Sequence, residues 1–84
     1  MSVLSGLPPR TLKDLFANNG YDLVGEDEYN WMLACDGDVP LIIPKLGHVA
    51  APEVMDAAME HARRKGLLRQ LMGAVAEHVS RDYD

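Results

Sequence analysis

Val39-Pro40-Leu41-Ile42-Ile43-Pro44 is the densest apolar run outside the segments with helical periodicity. It is too short to span a bilayer and too rich in β-branched residues for a surface loop. Asp36-Gly37-Asp38 opens it, and Pro44 and Gly47 close it. A short apolar run between turn signals predicts a buried strand, here over about 39–43. Pro40 has no amide donor, which suits an edge strand or a strand start.

Two further strands precede it. Residues 29–35 alternate, with Tyr29, Trp31, Leu33 and Cys35 on one face and Asn30, Met32 and Ala34 on the other. Asp36-Gly37-Asp38 predicts a three-residue hairpin loop with Gly37 left-handed. Tyr21-Asp22-Leu23-Val24 predicts a short strand with Tyr21 and Leu23 on one face, and 25–28 predicts a turn. Before them, Leu12, Leu15 and Phe16 share a helical face, so a helix is expected over about 9–18. Thr11 and Asp14 have the spacing of a weak capping box, and Asn18-Asn19-Gly20 ends the helix. Met1 to Leu7 is expected to be a loosely held lead-in.

After the central run, Pro44 to Ala51 is a connection. Pro52 and Glu53 suit a first helical turn. Val54, Met55, Ala58, Met59 and Ala62 form an apolar stripe, and Arg63-Arg64-Lys65-Gly66 has the form of a helix C-terminus. Leu67, Leu68, Leu71, Met72, Val75 and Val79 form a second stripe, either on a third helix or on one long helix running through Gly66; the glycine, about 1 kcal/mol worse than Ala in a helix, favours a break or kink there. Ser80 to Asp84 is expected to fray. The fold class is α+β: a helix, a three-stranded antiparallel sheet and a helix, with an additional C-terminal helix. One domain is expected over 1–84, with its core at about 9–65 and a helical extension at about 67–80.

With 84 residues, 48% hydrophobic and 25% charged, the chain has the composition of an ordered globular domain rather than a disordered one. Neither a secretory pattern nor an apolar run of spanning length is found, which predicts a cytoplasmic protein away from membranes. The single Cys35 has no internal disulfide partner, in keeping with a reducing compartment. The net charge of −5 is uneven: residues 21–38 hold Asp22, Glu26, Asp27, Glu28, Asp36 and Asp38 and no base. Nucleic-acid binders usually carry a basic excess, because phosphate neutralisation drives their affinity. The balance here disfavours RNA.

The stretch from about Thr11 to Ala62 resembles the HicA family of small toxins from bacterial toxin–antitoxin pairs. The matching features are Asn19-Gly20-Tyr21-Asp22-Leu23-Val24 after a helix bearing Leu12 and Leu15, then Leu41-Ile42-Ile43-Pro44-Lys45, then Pro52 at the head of the covering helix. The resemblance implies a double-stranded-RNA-binding type of fold. It also implies ribosome-independent mRNA cleavage held in check by a partner antitoxin. The family carries Gly-Ser-His at the start of its second strand, with the histidine catalytic. Glu28-Tyr29-Asn30 stands there in this chain, and Asn30 has no nitrogen that titrates near pH 7. The chain is therefore expected to keep the frame without the nuclease, and no catalytic residue is assigned.

A binding module for a protein partner is the leading expectation, with Glu26, Asp27 and Glu28 as contacts. The simpler alternative for these three is a solvated turn. An active interferase would have to use His48, otherwise an ordinary loop histidine. Its phosphate or RNA contacts would be Arg63, Arg64, Lys65 and Arg69, whose simpler role is to compensate a helix dipole. A third possibility is an oligomerising subunit, a homodimer in its simplest form, joined through Leu68, Leu71, Met72, Val75 and Val79. His61, near a helix end, is expected to carry a favourable positive charge there, and His78 to face solvent. Cys35 is expected to be a buried structural thiol. Asp36-Gly37-Asp38 lacks the further ligands of a calcium loop, and no histidine has a partner at zinc spacing. No metal or cofactor is expected.

Overall fold

The computed structural model describes residues 6–83. In chain order it contains α1 (Pro9–Ala17), β1 (Asp22–Glu26), β2 (Asn30–Ala34), β3 (Leu41–Pro44), α2 (Pro52–Lys65) and α3 (Leu68–Tyr83). The strands form one antiparallel sheet in the order β1-β2-β3. This is the expected α+β arrangement, with α1 against β2 and β3, α2 against β3, and α3 against α2.

Pro9 occupies the first turn of α1, where its missing N–H costs nothing. Leu12 and Phe16, one turn apart, are fully buried. The expected capping box does not form. Pro8 is the N-cap, no side chain caps the helix, and Asp14 instead pairs with Lys13 at 2.8 Å. The proline pair sets the helix start two residues before Thr11, so Thr11 lies inside the helix. At the other end the Asn19 Nδ2 donates to the Leu15 carbonyl at 2.7 Å, and the Tyr21 N–H donates to the Phe16 carbonyl at 3.1 Å. Those bonds turn the chain so that Tyr21 enters the core.

The sheet departs from expectation at its rim. Tyr21 is buried, but Leu23 and Val24 are exposed. The β1–β2 register slips between Leu23 and Gly25, leaving Val24 without a cross-strand partner. Among the described residues no helix packs on β1 as α1 packs on β2, so Leu23, opposite buried Leu33, stays exposed at the edge of the covered face. β2 begins at Asn30, with Tyr29 exposed outside it. β3 is shorter than expected and only half buried. Leu41 and Ile43 point into the core, while Ile42 and Val39 are exposed. Between them, Asp36 (φ 51°) and Gly37 (φ 79°) are both left-handed. The Asp38 N–H reaches the Cys35 carbonyl at 3.1 Å. This is a tight turn with two central residues, the form whose twist suits a hairpin.

The core reaches further along the chain than 9–65. Leu7 is fully buried, and its carbonyl accepts the Ala50 N–H at 2.7 Å, so the end of the lead-in is fastened down. Residues 1–5 of that lead-in lie outside the described residues. At the other end Leu71 and Val75 of α3 join the same core. α3 continues to Tyr83 rather than fraying from Ser80, and Asp84 lies outside the described residues.

Gly66 separates α2 from α3, as the sequence predicts. It is left-handed (φ 75°), and the Leu67 N–H closes onto the Ala62 carbonyl at 2.7 Å. A Cβ there would meet no atom within 4 Å, so only the backbone conformation opposes a side chain. Gly66→Ala is expected to lower stability by about 1–2 kcal/mol, the cost of an L-residue in that region. Gly66→Asn should cost less, because Asn adopts it more readily. Urea unfolding of the two variants checks the order.

Candidate binding cleft

The candidate site lies along the outer edge of β3. The Lys45 N–H donates to the Tyr29 carbonyl at 2.8 Å. The β2–β3 register pairs Trp31 with Ile43 and Leu33 with Leu41. In an antiparallel ladder alternate residues turn their backbone groups to the partner strand. Leu41, Ile43 and Lys45 therefore face β2, and Pro40, Ile42 and Pro44 face outward. The two prolines remove the N–H groups that would otherwise line this edge. What remains is one donor, from Ile42, and the carbonyls.

Val39, Pro40, Leu41 and Ile42 form one wall of an open cleft of ≈ 350 Å³. Glu53, Val54, Ala57 and His61 of α2 form the other. The helix wall follows from periodicity, since residues 53, 57 and 61 repeat at four-residue spacing. Ala57 keeps the wall low. The lining is apolar apart from Glu53 near the start of α2 and His61 two turns later. Glu53 makes no ion pair among the described residues.

His61 is only 6% exposed. Its Nδ1 lies 3.0 Å from the Tyr21 hydroxyl, and the two rings meet edge to face at 5.8 Å. Tyr21 in turn stands edge-on to Phe16, with centroids 4.9 Å apart. Burial, helped by the nearby Arg64 guanidinium, pushes the His61 pKa below its ordinary 6.5. Burial likewise raises the Tyr21 phenol, with the Cys35 thiol adding to it. Both effects favour a neutral imidazole; with the phenol as the better donor, we assign its hydrogen bond to Nδ1 and the ring proton to Nε2. That Nε2–H has no hydrogen-bond partner among the described residues. The expected dipole-compensating cation at position 61 is thus corrected: the ring belongs to the buried side of α2, where a charge would be costly.

Tyr21→Phe removes the donor and leaves Nδ1 buried without a partner. A loss of about 1–3 kcal/mol is expected. The pH dependence follows from the same ring. Below pH 6.5 the unfolded histidine takes up a proton that the folded one refuses, so stability should fall as pH drops from 6.5 toward the lower folded value. Urea midpoints at half-unit steps between pH 8 and pH 5 should show this slope, and His61→Asn should flatten it. The carboxylates of Glu26, Asp27, Asp38 and Glu60, all held below their ordinary values, act in the same direction at lower pH.

The residues singled out in the sequence are already engaged for the most part. Glu26 pairs with Lys45 at 2.6 Å, and that hydrogen bond lowers its pKa. Asp27 Oδ1 accepts the N–H groups of Tyr29 and Asn30, both at 2.8 Å, and so shapes the β1–β2 turn. Glu28 is exposed. The three acids are all exposed, but two of them are already engaged within the chain, Glu26 with Lys45 and Asp27 with its own turn. Arg63 and Arg64 both reach Glu60, and Lys65 pairs with Asp38 at 2.7 Å. Arg69 is exposed on α3. Two carboxylates, Glu60 and Asp38, thus offset part of the charge of the expected four-base phosphate cluster. Lys65–Asp38 also ties the end of α2 to the β2–β3 turn.

His48 is exposed in the loop between β3 and α2. Asn30 opens β2, opposite Pro44. Cys35 is only half buried, with Sγ 3.9 Å from Asp36 Oδ2, because β2 ends before it. Among the described residues no three His, Cys, Asp or Glu side chains gather to hold a metal ion. Nor is any described helix long and apolar enough to cross a membrane.

The α3 stripe offered as an oligomer interface is largely internal. Leu71 and Val75 are core residues, and Leu68 and Val79 pack against the core. Met72 alone of the five is exposed. A feature not anticipated from sequence is Trp31, with the Lys13 and Lys45 ammonium groups 5.2 and 5.5 Å from its ring centroid.

No protein-family model, curated protein or solved structure matches this chain.

Proposed function

We propose that this chain is a small protein-interaction domain, built on a HicA-like frame without that family's nuclease, that takes a segment of a partner protein into the cleft between β3 and α2. The observation that carries this is the cleft itself: an apolar channel beside a sheet edge, with Val39 and Ile42 left exposed at its wall. Exposed apolar side chains gathered in a channel are what binding grooves offer a partner. Addition of a segment along a free edge is a recurrent mode of peptide recognition. Two further observations favour a binding module over an interferase. Asn30 occupies the position that the resemblance gives to a catalytic histidine. The three bases at the end of α2 are partly offset by the two carboxylates of Glu60 and Asp38.

The test is affinity capture with the full chain, run in parallel with Ala57→Gln and Glu28→Lys. Gln is a good helix former, so Ala57→Gln fills the cleft without opposing α2. A partner held by the parent chain and by Glu28→Lys, but bound at least tenfold more weakly by Ala57→Gln, is the expected result. A partner lost with Glu28→Lys and indifferent to Ala57→Gln would return the contact to the hairpin. Incubation with labelled single-stranded RNA at low salt addresses the enzyme. Cleavage that His48→Ala abolishes would overturn the proposal.

A further inference from the structure

We propose that the occupant of the cleft is an extended partner segment of three to four residues, with a large apolar side chain next to a lysine or arginine that pairs with Glu53. This rests on the cleft being the binding site and goes on to name the chemistry that fits it. Length comes first. Glu53 and His61 are eight helical residues apart, about 12 Å at 1.5 Å per residue. An extended chain covers that distance in three to four residues at about 3.3 Å each.

Charge complementarity comes next. The only full charge on the lining is the Glu53 carboxylate, which has no ion-pair partner among the described residues. The β3 edge adds to the same sign. With Pro40 and Pro44 facing outward, it presents carbonyl oxygens and a single N–H, that of Ile42. Such an edge favours a donor-rich guest. A cation at the Glu53 end satisfies both features, whereas an acidic segment would meet a carboxylate and a row of carbonyls. The apolar requirement comes from Val39, Ile42, Val54 and Ala57, which leave room for one large side chain between them. At the far end the Nε2–H of His61, on a ring only 6% exposed, lacks an acceptor among the described residues. A backbone carbonyl of the guest would supply one.

The experiment is selection of capped random heptapeptides on the immobilised full-length chain. Fluorescence anisotropy of the enriched peptides then follows at low salt and at about 0.15 M salt, where surface charge pairs are screened. The expected winners carry a large apolar residue beside Lys or Arg. They should bind at least fivefold more weakly to Glu53→Gln and at least tenfold more weakly to Ala57→Gln. Glu53→Lys should enrich acidic peptides instead. Circular dichroism of each variant should match the parent, since Glu53 and Ala57 are both exposed. Peptides that depend on Ala57 but are acidic, or indifferent to Glu53, would overturn this inference and leave the cleft as the binding site. If no peptide depends on Ala57, or if sedimentation shows a dimer that Ala57→Gln dissociates, both fall.

Discussion

Phe16→Ala is expected to remove a large share of the chain's stability. Phe16 is fully buried and joins α1 to the sheet. Truncating a buried phenylalanine costs about 3–5 kcal/mol, from lost apolar burial and from the cavity that remains. A domain of this length has a total stability of roughly 4–13 kcal/mol. The loss therefore removes a large share of it, and at the lower end all of it. Here the damage also spreads. Tyr21 stands on the Phe16 ring and bonds to His61, so the cavity lies beneath a pair whose histidine lines the cleft. Phe16→Leu, which keeps most of the volume, should cost less than half as much. Urea unfolding followed by Trp31 fluorescence gives both values, and a Phe16→Ala shift under about 1 kcal/mol would contradict this account of the core.

Leu71→Ala is expected to cost about 2–5 kcal/mol, the range for a fully buried leucine. Met72→Ala, one residue on but exposed, should change stability by less than about 0.5 kcal/mol. The pair separates two uses of the α3 stripe. If it packs within its own chain, as Leu71 and Val75 do, the Leu71→Ala cost is the same at tenfold different protein concentrations. If the stripe served mainly to join copies, unfolding would depend on concentration and Met72 would matter as well. Unfolding curves at two concentrations decide between them.

How much of this was legible in the sequence depended on which physical signal each residue carried. Element order followed from strong local signals: the prolines that head α1 and α2, the glycine between α2 and α3, and the alternation in β2. β1 was legible as a short strand at Leu23-Val24, but neither its continuation through Gly25 and Glu26 nor its exposure was. What exposes it is the absence of a helix above it, a tertiary fact with no local mark. Leu7 was overlooked because a single apolar residue before two prolines shows no period. The acids of the hairpin were visible as charge, but their partners Lys45 and the backbone of Tyr29 and Asn30 were not. His61 did leave a trace, since it lies between Ala58 and Ala62 on the buried stripe of α2. Helical spacing alone placed it inward, and attention to its charge obscured that. The cleft could not be read at all, because its two walls come from segments more than ten residues apart. Only Pro40 and Pro44, flanking Ile42 at two-residue intervals, hinted at an edge left open.

Those two prolines also bear on how long a guest stays. A segment docking along an ordinary strand gains a ladder of backbone bonds that is indifferent to its sequence, each contributing about 1 kcal/mol net. With two of the donors absent, residence falls by roughly one to two orders of magnitude, because affinity differences of this kind appear mostly in the dissociation rate. Retention then depends on side chains, which differ between partners, rather than on backbone, which does not. On the proposed reading, the domain would exchange its guests quickly and discriminate among them by what they carry.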